Sequence, residues 1–191
     1  MRNRALEEVA ESVRVCCSYK NYGCPQIVRY PDKINHEKLC SFIECSCPIE
    51  VCNVNGTSEM IYAHCKVMHK DFVKPFVFGR KFHVSVQLND NFFILQEENT
   101  DIVFVLNNTL CSYGSILTMC CLGPLPIGYC PYEIQVNANS SHKFHSATQN
   151  IQGTSNYYRS FSWFLLDSDH ECFADGMIKM EICVYRAPEL A

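Results

Sequence analysis

The chain has no apolar run of 18 residues, so no segment is expected to cross a bilayer as a helix. No secretory leader is expected either, because residues 1–14 are charged and helical in pattern. The N-x-S/T matches that begin at Asn55, Asn107 and Asn139 are therefore not read as glycosylation sites. There is no G-x-G-x-x-G and no G-x-x-x-x-G-K, so Gly123–Pro124 and Gly128 mark a loop and not a phosphate cradle. Positive charge is not in excess: the net charge is −4, and residues 1–70 carry nine Lys and Arg against eight Asp and Glu. Nothing in this balance attracts nucleic acid or an anionic membrane. Cysteine, by contrast, is plentiful, with 14 in 191 residues, eight of them before residue 70. The 48% apolar content is that of a chain able to bury a core, as one medium domain or two small ones.

Between residues 17 and 69 the cysteines and histidines fall into two similar spacings. Cys17, Cys24, His36 and Cys40 give C-x6-C-x11-H-x3-C, and Cys45, Cys52, His64 and His69 give C-x6-C-x11-H-x4-H. Each set offers the four N and S donors of a closed tetrahedral zinc site, so two structural Zn2+ ions are expected. Four protein donors leave no open position for a catalytic water. Asp32 to Cys40 reads as a short helix capped by Asp32, with His36 and Cys40 one turn apart on one face. Gly23 permits a tight bend between Cys17 and Cys24. Thr57 or Ser58 can cap a second helix running to about His69, which must loosen at its end for His64 and His69 to converge. Cys16 and Cys47 are rivals to Cys17 and Cys45, but either choice breaks the repeated six-residue gap. Cys65 reads as a small buried apolar residue. Histidines interleaved at metal spacing favour zinc over disulfides, and with it a reducing compartment, nucleus or cytoplasm.

From about residue 73 the pattern changes to period two. Phe82, Val84, Val86 and Leu88 alternate with polar residues, as do Tyr132, Ile134, Val136 and Ala138, and Ile178, Met180, Ile182 and Val184. These read as strands with one wet face. Phe92 to Gln96, Ile102 to Leu106 and Ser115 to Leu122 are apolar on both faces and suit central or interface-facing strands, with Glu97 to Asp101 as a hairpin loop. Lys143 to Gln149 and Ser160 to Leu166 are weaker candidates. About eight short strands with almost no helical period make the class mostly β, an antiparallel β-sandwich. The chain then divides into a lead-in helix over 1–15, tandem fingers over 16–70 and the sandwich over 71–187. The helix is read from the stripe Leu6, Val9, Ala10 and Val13.

Two fingers of this spacing, four residues apart and followed directly by a sandwich, resemble the seven-in-absentia (SINA/SIAH) proteins. The stretches NRALEEV, HEKLC, CSCPIEVC, FFILQEE and IVFVLNN resemble the plant-type branch. The resemblance implies that the sandwich is TRAF-like and eight-stranded. It implies a substrate-recognition and dimerisation part of a RING ubiquitin-protein ligase in ubiquitin-dependent degradation. Expected partners are degron peptides of substrate proteins and a second copy or a relative. The ubiquitin-conjugating enzyme would be reached only through a RING, and no further Cys/His array is present here to build one. These residues alone are therefore expected not to promote ubiquitin transfer. By the same analogy a substrate peptide adds as a strand near Phe72 to Phe76. Val73 and Pro75 would be contacts, and Asn91, Phe92 and Ile94 the neighbouring wall, Phe92 standing where the family usually has tryptophan.

Three other readings compete. A DNA-reading finger pair needs a basic helix and a linker long enough to follow the groove, whereas only four residues separate Cys40 from Cys45. A thiol or hydrolytic enzyme could draw on His83, His142, His145 and His170, and on Cys111, Cys120, Cys121, Cys130, Cys172 and Cys183. The sequence places none of these cysteines next to a histidine and an orienting carboxylate. A RING-less scaffold that binds partners, or pairs with full-length relatives and dampens them, differs from the first reading only in what it is attached to.

Overall fold

The computed structural model describes residues 9, 11–49, 51–87, 90, 92–100, 102–123, 129–137, 141–151, 164–167 and 177–186. Most of the expected lead-in helix, and His170 and Cys172, lie outside them. The Val13 amide donates to the Val9 carbonyl at 3.2 Å as the last helical bond, and by Arg14 the chain is already strand.

The first finger pairs β1 (Arg14–Cys16) with β2 (Ile27–Arg29) and adds α1 (Lys33–Lys38). Cys17 starts a 3-10 turn over Ser18–Tyr22, which ends at Gly23 with φ 108°, a left-handed value that favours glycine. Asp32 lies inside a preceding 3-10 turn and pairs with Arg29 at 2.8 Å, so it does not cap α1. The second finger pairs β3 (Cys45–Ser46) with β4 (Asn55–Gly56) and continues into α2 (Ser58–Met68). There the expected cap forms: the Met60 amide donates to the Thr57 hydroxyl at 3.3 Å.

The sandwich that follows has two sheets. β5 (Val73–Phe76), β7 (Phe92–Glu97), β8 (Val103–Cys111), β9 (Gly114–Leu122) and β12 (Gln149–Ile151) lie side by side, with β13 (Phe164–Asp167) also on β9. The second sheet runs β11 (Ser141–Ala147), β10 (Pro131–Asn137), β14 (Met177–Val184) and β6 (Phe82–Gln87). Pairing is antiparallel except at two places, where β5 runs parallel to β7 and β12 parallel to β9. Both exceptions join strands separated by intervening chain, as parallel neighbours must be.

The period-two strands behave as read where they are described; Leu88 and Ala138 lie outside the described residues. Val84 and Val86, Tyr132, Ile134 and Val136, and Ile178, Met180 and Ile182 are buried in the core between the sheets. The doubly apolar strands have a different reason. Phe93, Leu95, Phe104, Leu106, Leu117 and Met119 point into that core. Their alternates Ile94, Val103, Val105, Cys120 and Leu122 join a second cluster with Ile43, Cys45, Ile49, Ile61 and Cys65 of the second finger. The six-stranded sheet is thus buried on both faces because a finger covers its outer one. Gly123 marks the closest approach. It has φ +85°, and a Cβ there would lie 2.9 Å from Ser58 Cβ and 3.7 Å from Cys45 Sγ. Gln96 Nε2 completes the seam by donating to the Tyr62 carbonyl at 2.8 Å.

Candidate metal centres and the open sheet edge

Two groups of Cys and His converge, each with its donor atoms within 4.8 Å of one another. The first is Cys17, Cys24, His36 and Cys40, the set expected from the spacing. Cys17 sits at the head of the 3-10 turn, Cys24 just beyond Gly23, and His36 and Cys40 on and after α1. Cys17 Sγ lies 3.8 Å from Cys40 Sγ, and Cys24 Sγ lies 3.5 Å from His36 Nε2. Zn–S bonds of about 2.3 Å and Zn–N bonds of about 2.0–2.1 Å place tetrahedral ligands roughly 3.8 Å apart for S and S and roughly 3.5 Å for S and N. Both separations are compatible with a tetrahedral zinc site. A disulfide needs sulfurs about 2.05 Å apart, and the described cysteines are all free thiols.

The second group is Cys47, Cys52, His64 and His69. Cys52 Sγ is 3.2 Å from His64 Nε2, and the two histidine Nε2 atoms are 3.1 Å apart. His69 follows the last helical residue with φ −129°, and this loosened end brings its ring back to His64. Cys45 is not in the group, which corrects the expectation from the repeat. The β3–β4 hairpin explains the exchange. Cys45 pairs with Gly56, its side chain lies in the apolar seam against the sandwich, and its Sγ donates to the Ile43 carbonyl at 3.7 Å. Two residues on, the Cys47 amide donates to the Val54 carbonyl at 2.9 Å, and a turn closes with the Cys52 amide on the Ile49 carbonyl at 2.8 Å. That tight knuckle juxtaposes Cys47 and Cys52 with four residues between them, whereas the first finger spans its six with a 3-10 turn.

The thiols divide by environment. Burial pushes Cys40 up to about 12 and Cys45 up to about 11. A thiolate in the first group therefore needs a cation to offset its desolvation. In the second group the Cys65 thiol donates to Cys47 and holds it down to about 5, with Cys65 itself driven upward. Cys65 is buried as expected, and it is also a hydrogen-bond partner of a candidate ligand. Its position directly after His64 is the one sequence signal for this. Burial likewise drives Cys120 up to about 12 and Cys121 well above the ordinary thiol value. His83 and His145 lie on the exposed face of the four-stranded sheet beside Glu181 and Glu133.

A family model described as Sina, zinc finger, matches residues 8–77. The chain is 31% identical over 171 residues to E3 ubiquitin-protein ligase SINA-like 10 of Arabidopsis thaliana, covering 88% of this chain and 49% of that protein. It belongs to the SINA family. SINA-like 4 of the same plant is 34% identical over 65% of this chain and 40% of its own length. SINA-like 3 is 27% identical over 98% of this chain and 69% of its own. The chain spans about half the length of the SINA relatives it matches first. Both donor groups lie inside the matched finger region and are compatible with zinc.

The SINA resemblance also pointed to a peptide edge, and the five residues named for it separate. β5 is an edge strand, with Val73 half-buried and Pro75 exposed on its outer face. Proline is tolerated there because an edge position can forgo an N–H. Phe92 is half-buried and stacks on the exposed Phe72 ring at 6.0 Å. Ile94 is fully buried between finger and sandwich, so it is a seam residue and not part of an exposed wall. Asn91 lies outside the described residues.

Proposed function

We propose that the chain is the substrate-recognising and dimerising module of a SINA-type RING ubiquitin-protein ligase, held by two structural zinc ions. The observation that carries this reading is β5. Among the described residues it is an edge of the six-stranded sheet with no strand on its outer side, and it emerges directly from the second finger through a 3-10 turn over Lys70–Phe72. An open edge recruits an extended segment of another protein through main-chain hydrogen bonds. The metal-clamped finger fixes where that edge begins. Ubiquitin transfer needs a RING to recruit the conjugating enzyme, and this chain spans about half the length of the relatives named as ligases. The free thiols suit a reducing setting, nuclear or cytosolic.

The test joins a RING upstream of the chain and follows ubiquitin on a bound partner protein. Modification should occur, and Val73→Arg with Pro75→Arg should abolish it while zinc content stays unchanged and the sandwich stays folded. Modification that survives a blocked edge would remove β5 from the mechanism.

A further inference from the structure

Beside β5 lies a groove of about 480 Å³ that both halves of the molecule build. Tyr62 and Lys66 of α2 form one wall, Val73 and Pro75 of β5 the other, with Gln96 at the floor. Lys70 stands at the end where α2 gives way to β5, and Glu98 at the opposite end. Lys66 is one helical turn beyond Tyr62, and its ammonium sits 5.8 Å over the Tyr62 ring, which holds it toward the groove. Two ammonium groups thus line the groove, Lys70 just before β5 and Lys66 over the Tyr62 ring, and the groove's carboxylate lies beside Phe76 at the far end.

The backbone at this edge is also selective. The Phe76 carbonyl accepts from the Glu98 amide at 2.9 Å, on the side of β7. Strand alternation turns the peptide groups of Val73 and Pro75 the other way, to the open side. The Val73 amide is already bonded to the Lys70 carbonyl, and Pro75 has none. What faces an incoming strand is therefore a pair of carbonyl acceptors. A strand laid here is held by its own N–H groups, and its alternate side chains point into the groove beneath Lys66 and Lys70.

We propose that this groove is an acidic-residue subsite: it takes an extended peptide whose amides donate to the Val73 and Pro75 carbonyls and whose Asp or Glu carboxylate sits between Lys66 and Lys70. The proposal rests on the edge-recognition reading above and names the peptide chemistry it selects. Glu98 gives the site a direction, because an acid at its end of β5 would be repelled and a base accepted. Both lysines are exposed and make no contribution to the apolar seam, so they are free to set specificity without holding the fold.

The test selects a displayed library of random nine-residue peptides on the immobilised, zinc-loaded chain. Asp or Glu should be enriched at a single position, and Lys66→Glu with Lys70→Glu should replace that preference by Lys or Arg. For one selected peptide, changing the acid to its amide should weaken binding by roughly tenfold, less at high salt, and should not weaken binding to the double variant. Methylating the amides nearest that acid should abolish binding. Selected peptides that need the edge but show no acid preference would overturn the subsite and leave the edge reading standing. Peptides that bind equally well after Val73→Arg with Pro75→Arg, or no selected peptides at all, would overturn both.

Discussion

The two fingers carry donor groups of equal size and stand on different foundations. In the first, the buried residues are Cys17, Cys24 and Cys40 themselves, with only Tyr19 and Phe42 packed against them. Its Val15 and Val28 are half-buried, and its larger Ile27, Ile34 and Leu39 are exposed. In the second, Ile43, Ile49, Ile61 and Cys65 share a cluster with Ile94, Val103, Val105 and Leu122 of the sandwich. The first finger would therefore owe its fold to a bound metal ion. The other is part of the core, and a metal ion there would add to a fold that packing already holds. A small segment without apolar burial has no other source of stability large enough to offset its chain entropy.

Removing a ligand from each finger tests this contrast most strongly. Cys24→Ser should release one zinc equivalent and with it an apparent binding free energy of about 10–16 kcal/mol at neutral pH. Amide exchange should then show residues 14–40 fully open while the sandwich keeps its melting temperature. Cys47→Ala should also release one equivalent, but amides of α2 should stay protected, because Ile61 and Cys65 remain buried against the sheet. Cys45→Ala is the matched control: metal content stays whole, and only packing is lost. If Cys45→Ala releases the ion and Cys47→Ala does not, the repeat was the better guide. The next largest effect comes from the seam. Ile61→Ala should cost about 2–5 kcal/mol and lower the melting of the second finger and the sandwich together. Ile34→Ala, at an exposed site in the first finger, should leave both unchanged.

Much of this was legible in the sequence, for identifiable reasons. Tyr132, Ile134 and Val136 announce a half-buried strand because each alternate residue must face water or core. Phe92 to Gln96 announces burial on two faces but not what covers the second, since periodicity reports solvent and not neighbours. The first donor group was readable from its spacing and from Gly23 at a left-handed bend, although the helix expected to reach Cys40 ends at Lys38 and leaves Cys40 beyond it. The second was misread at one position because the repeat treats both loops as equal. Hairpin register, which decides between Cys45 and Cys47, depends on pairing with Gly56. The parallel contact of β5 with β7 is invisible for a related reason: it joins segments with β6 between them, and no local pattern encodes it.

Gly123 sharpens the comparison at the seam. Gly123→Ala places a side chain at φ +85° and 2.9 Å from Ser58 Cβ. Strain and clash together should cost about 1–3 kcal/mol. Ser58→Gly should recover the clash but not the backbone strain, so the double variant should lie between Gly123→Ala and the parent. Full additivity of the two changes would mean that the second finger does not press on this turn.

The smallest effect belongs to the sheet that touches neither metal group. On the outer face of β10, the Lys143 ammonium at 2.9 Å holds the Glu133 carboxyl below its ordinary value of 4.5, with His145 and Lys81 adding to the field. A carboxyl depressed in the folded state stabilises that state above about pH 4.5, and the contribution disappears as pH falls through the folded value. Melting temperatures followed from neutral pH into the acid range should therefore fall more steeply for the parent than for Lys143→Met. Acid also strips zinc, because protons compete for the Cys and His donors. The discriminating measurement is the same pair of curves in chelator, where the fingers no longer contribute. A difference between parent and Lys143→Met that persists there belongs to the sandwich alone; one that vanishes would mean that this sheet senses the metal through the shared core, and the division between the two foundations would have to be redrawn.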